Sequence, residues 1–103
     1  MNSKPIQGGG ISHHWKNPDD SFRYALTKVE FDCKIDHYAG VVIVSDEHYQ
    51  NAICSRVNDL EKELPNLLSK IEGKAVAHWR VIENKDEANR VVSSLSAHPV
   101  FIG

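Results

Sequence analysis

The sequence predicts an α+β domain, a two-layer sandwich with a mixed sheet in the order β-β-α-β-α-β and both helices on one face of the sheet. Three observations carry this reading. Phe22 to Asp36 alternates with a period of two, Ser45 to Gly73 carries an apolar seam with a helical period, and Lys74 to Ile102 repeats both patterns in a shorter space. With 103 residues, 41% hydrophobic and 25% charged, the chain has room for one core and one domain over 22–103. Residues 1–21, with Gly8-Gly9-Gly10 and two prolines, read as an N-terminal arm or loop that Ile6, Ile11 and Trp15 pin to the body.

In the first strand, Ala25, Thr27, Val29, Phe31, Cys33 and Ile35 share one face, and Lys28, Glu30, Asp32, Lys34 and Asp36 the other. Tyr24 and Leu26 fall on that second face, so it is not uniformly suited to water. Asp36-His37-Tyr38-Ala39-Gly40 has hairpin length, with Gly40 free to take a positive φ. The second strand, Val41-Val42-Ile43-Val44, is apolar at successive positions and so needs cover on both sides.

Ser45 then reads as an N-cap, with Asp46 and Glu47 in the first turn, and Ile53, Val57, Leu60, Leu64, Leu67 and Ile71 recur at spacings of four and three. Pro65 predicts a kink near 62–64, and Gly73 a stop. Lys74 to Glu83 is a strand with Ala75, Ala77, Trp79 and Val81 on one side and Val76, His78, Arg80 and Ile82 on the other. Asn84 to Ala97 is a helix capped by Asn84 or Asp86, with Ala88, Val91, Val92 and Leu95 on its apolar face. His98-Pro99 ends it, and Val100-Phe101-Ile102 closes the chain as a short strand.

Several functions are disfavoured from composition. A net charge of -2 with basic residues scattered singly gives no stripe for a nucleic acid, although a face assembled by the fold escapes this test. No apolar run reaches the ~20 residues of a membrane span, and the first residues lack a secretory signal's apolar core, so the expected compartment is the cytoplasm. Cys33 and Cys54 fit neither a disulfide framework nor a CxxC pair and read as small buried hydrophobes. The glycine triplet lacks the Gly-Lys-Ser/Thr of a phosphate loop, and no serine sits in a G-x-S-x-G context. The six histidines show no local metal-ligand spacing. A metal could be held only by a set such as His13, His37, His48 and Asp20 assembled in space, and neither a metal nor a cofactor is expected.

Two helices on one face would leave Tyr24, Leu26, Val76, His78, Arg80 and Ile82 on the other. A second subunit, or the arm with Trp15, would have to cover them. The expectation is therefore a small soluble homodimer or higher homo-oligomer, an accessory or ligand-binding protein that self-associates through its helix-free sheet face. The alternative is a small enzyme acting on an anionic metabolite at that face. Arg80 would anchor the anion, His78 would be the proton-transfer group, and Tyr24 and Glu30 would line the site. Arg80 paired to Glu30 as plain strand polarity is the simpler reading of the same residues.

Overall fold

The computed structural model describes residues 12–30, 35 and 37–103. The chain is an α+β fold with the element order β1 (Ser12–Lys16), β2 (Arg23–Lys28), β3 (Gly40–Asp46), β4 (Ala52–Val57), α1 (Leu60–Leu68), β5 (Ala75–Val81), α2 (Lys85–Leu95) and β6 (Val100–Phe101). All six strands form one sheet in the order β4-β3-β5-β2-β1-β6, and every pairing is antiparallel. The expected mixed sheet is corrected accordingly. Ser12–Lys16, assigned to an arm on its composition, is strand β1 beside β2. Phe31 to Lys34, Cys33 among them, lie outside the described residues.

The long helix expected over Ser45 to Gly73 is the largest correction. Its first half is the end of β3, a turn and strand β4; only Leu60–Leu68 is helical. Ile53 and Val57 are four apart on a strand face as well as on a helix face. They join Leu60, Leu64, Leu67 and Ile71 in one cluster, so the apolar seam is real but is built by a strand and then a helix. The residues between them decide the matter. Ala52 and Cys54 are also buried, in the opposite cluster, which a period of two explains and a helix does not. Ser45 is a fully buried strand residue, and the cap of α1 is Asp59, whose carboxylate accepts the Lys62 N–H. Glu63 reaches back to accept the Asp59 N–H at 2.9 Å, so the two carboxylates share the donors of the first turn.

The expected hairpin between the first two strands does not form, because β5 lies between β2 and β3. Val41 to Val44 are fully buried, as four successive apolar residues predict, with their alternate side chains in two different clusters. The sheet is strongly curled. β5 and β6 are separated by β2 and β1, which in a flat sheet would hold them about 14 Å apart. The rings of His78 on β5 and Phe101 on β6 are nonetheless 5.9 Å apart, and Tyr49 from the β3–β4 turn stacks on Phe101 at 3.9 Å. Cys54 N–H donates to Ala97 O, tying edge strand β4 to the segment that precedes the other edge.

Each helix covers its own face. α2 sets Ala88, Val91 and Leu95 into the concave side with Trp15, Leu26, Val41, Ile43 and Ile82. α1 packs Leu60, Leu64 and Leu67 on the convex side over Val42, Val44, Ala77 and Trp79. Both helices on one face, the expected layout, would leave half of the all-apolar β3 wet; opposite faces solve that within one chain. Leu26 and Ile82, expected to need a partner, are 1% and 6% exposed. Among the described residues, neither helix covers the convex face of β1, β2 and β6.

Candidate functional site

The residues singled out from the sequence are partly brought together. Tyr24, His78 and Arg80 lie on the concave side, since Lys28 opposes His78 and Leu26 and Tyr24 follow at two-residue steps along β2. His78 is fully buried, with rings of His13, Trp15, Tyr49 and Phe101 around it at 5.0 to 6.0 Å. Among the described residues neither of its ring nitrogens has a hydrogen-bond partner, and the indole N–H of Trp15 beside it likewise has none. Burial, reinforced by His13 and Lys28, pushes His78 down to about 4, so the imidazole is neutral at ordinary pH. A sealed neutral ring has no path to a substrate. The ring expected as a proton-transfer group is packed as the hub of an aromatic core.

Arg80 is half-buried, donates from Nη1 to Ala25 O at 3.3 Å and lies 4.8 Å from the Tyr24 ring centroid. Burial raises Tyr24, with Arg80 opposing and Glu87 adding to the shift. The expected Arg80–Glu30 pairing is not present: Glu30 is exposed beyond the end of β2, and no carboxylate is ion-paired to Arg80 among the described residues.

A different site emerges at one end of the sheet. A cleft of about 720 Å³ opens between the β3–β4 turn, the turn after α1 and the segment leading into β6; its walls include Asp46, Tyr49, Asn51, Lys70, Glu72 and His98. Asp46 organises one wall. Its Oδ1 accepts the N–H groups of Gln50 and Asn51, both at 2.8 Å, and its Oδ2 that of His48 at 3.3 Å. These bonds, Asn51's foremost, hold its carboxyl below the usual range. The turn so fixed holds Tyr49 at φ 60, a left-handed conformation unusual for a bulky residue and costing on the order of 1–3 kcal/mol.

His98 closes the opposite wall. Just past the end of α2, it places Nδ1 3.0 Å from Ala52 O. A carbonyl accepts only, so Nδ1–H is the donor in this contact, and Nε2 is left without a partner among the described residues. Sequence reasoning missed this site because residues 47–51 were assigned to a helix. The missed signal is a polar run, Asp46 to Asn51, between two β-rich segments.

Other chemistry is accounted for structurally. Burial pushes the Cys54 thiol up to about 12, which makes it a packing residue rather than a nucleophile. Among the described residues the histidines and Asp20 considered for a metal do not assemble; the grouping found is His37, Asp59 and Glu61, with ligand atoms within 4.8 Å of one another. His37 Nδ1 lies 2.9 Å from Asp59 Oδ2, and this bond is the main cause of the lowered Asp59 carboxyl. The ring thus fastens an exposed helix cap. No helix is long and apolar enough to cross a membrane among the described residues. No family model, curated protein or solved structure matches this chain.

Proposed function

We propose that the protein is a small ligand-binding module without catalytic machinery, and that its seat is the cleft beneath the β3–β4 turn. The observation that carries this reading is Tyr49, a strained residue fixed by three backbone bonds to Asp46 on the wall of a cleft large enough for a metabolite. The ligand chemistry we propose is one anionic group, held at Lys70, on an apolar body. Lys70 is the lining's lysine, Ile71 and Pro99 give it an apolar wall and His98 Nε2 a ring nitrogen for a hydrogen bond, while Asp46, its oxygens occupied by backbone donors, and Glu72 bring negative charge to the same lining and restrict the anion to the Lys70 side.

The reading as a binding module rather than an enzyme rests on what the chemistry-bearing groups do: Cys54 packs, His78 is sealed, and Arg80 is bound to a backbone carbonyl and an aromatic ring. Self-association had its physical driver in an apolar sheet that no helix covers. With α2 and Trp15 over that surface, ligand binding is the part of the reading that the geometry supports.

A thermal-shift screen of small carboxylates and phosphates tests the proposal. At a hundredfold excess over Kd, binding adds about 2.7 kcal/mol, which raises Tm by roughly 10 °C in a domain of this size. The expected result is at least one such compound whose stabilisation is lost in both Lys70→Ala and His98→Ala. No stabilisation by any compound, or stabilisation that both variants retain, would remove the cleft as the seat.

A further inference from the structure

The convex face of β1 and β2 collects the cations that the sequence scatters. In the antiparallel register Lys16 stands directly opposite Arg23, and His14 opposite Ala25, so His14, Lys16 and Arg23 share one face. Lys16 also opposes Val100 on β6, and Ile102 donates its N–H to His14 O. Val100 and Ile102 are 43% and 39% exposed, and His14 and Arg23 are exposed beside them.

Two features of this patch work against the isolated fold. Like charges directly opposed across a ladder destabilise a sheet, and neither Arg23 nor His14 is ion-paired among the described residues. Lys16 relieves its own charge only through the carbonyls of Asn17 and Asp20. The neighbouring carboxylate of Asp20 is turned to the Phe22 N–H instead. A chain with a net charge of -2 therefore keeps a cationic strip that no carboxylate among the described residues pairs, on a part of its sheet that neither described helix covers.

We infer that this strip docks an extended acidic peptide, its carboxylates over Lys16 and Arg23 and its apolar side chains on Val100 and Ile102. Charge complementarity selects this occupant. A second copy of the chain related by a two-fold axis would oppose cation to cation. A nucleic acid asks for a longer basic track than Lys16 and Arg23 give, and an anionic membrane for a denser basic cluster.

Fluorescence anisotropy with a short labelled peptide of alternating Glu and Val, run beside its Lys/Val counterpart, an RNA oligomer and anionic vesicles, tests the inference. The acidic peptide is expected to bind, to weaken with added salt, and to bind roughly tenfold more weakly to Arg23→Glu and to Lys16→Glu. Tm should hold or rise in both variants, because each turns a like-charged cross-strand pair into an opposite one. The inference is overturned if the acidic peptide does not bind, if its basic counterpart binds as well, if both variants retain full affinity, or if only RNA or vesicles bind.

Discussion

Lowering the pH from 6.5 to 4 is expected to remove about 3 kcal/mol from the folded state through His78 alone. Burial holds the folded-state imidazole down to about 4 against its ordinary 6.5. Between those values the unfolded chain takes up a proton that the folded chain refuses. Stability therefore rises with pH across the window, is fully present above 6.5, and is lost as the pH falls toward 4. A loss of that size is a large part of the 5–15 kcal/mol typical of a domain.

His78→Leu isolates the effect, because it removes the titrating group and two unpaired nitrogens while keeping an apolar side chain in the cluster. Urea unfolding of both proteins at a series of pH values is the measurement. The variant should match or exceed the wild type at pH 7 and should lose most of the slope between 6.5 and 4. Asp46 and Asp59, with their lowered carboxyls, titrate in both proteins and cancel in the difference. A slope that the variant keeps in full would mean that the ring is not held neutral.

Gly40→Ala is expected to be the most damaging substitution among the described glycines, on the order of 3 kcal/mol or more. A Cβ there would fall 2.0 Å from Arg80 O, 3.0 Å from Arg80 C and 3.1 Å from Ile82 N, all of them backbone of the neighbouring chain segment. No side chain can swing aside to relieve this. β3 and β5, paired from Gly40–Val81 to Asp46–Ala75, would have to part at one end, where Ala39 O also accepts the Ile82 N–H. Gly73→Ala is the natural comparison: φ is +79 there and nothing stands near the new methyl, so the cost is the left-handed backbone alone, about 1–2 kcal/mol. Equal midpoints for the two variants in chemical denaturation would refute the close-approach argument.

Gly40 also shows how sequence and structure part company. Its place between two apolar segments predicts a hairpin glycine with positive φ. The structure needs it because two backbones meet, a non-local requirement that its neighbours in sequence do not encode. The same distinction runs through the fold. β3, β5 and α2 were legible because their side chains declare both faces: Val41 to Val44 dry throughout, Ala75, Ala77 and Trp79 against Val76 and His78, and Ala88, Val91 and Leu95 on a stripe. The Ser45 to Gly73 stretch was not, because spacings of four fit a strand face and a helix face equally. β1 was hidden by its polar residues, of which His14 and Lys16 face the part of the convex side that α1 does not reach.

The candidate site was less legible than the fold. Alternation along β5 correctly put His78 and Arg80 on one face, and Tyr24 belongs to the same side. Which faces the sheet would curl toward is a property of the whole sheet, and that curl converts His78 from a surface group into a core one. The cleft draws its walls from the stretches around 46–53, 70–72 and 98–100, far apart in sequence. Only the closure of β4 against the 97–98 segment brings them together.

One chain covers both sides of its own sheet around β3 and β5, and the two tryptophans report on that cover directly. Trp15 is fully buried in the concave cluster and Trp79 is 1% exposed in the convex one. Iodide quenching of tryptophan emission, repeated as the protein is diluted, reads both clusters at once. The account predicts blue-shifted emission that iodide scarcely quenches at every concentration. Quenching of part of the emission that grows on dilution would show that the concave face depends on a second molecule for its cover.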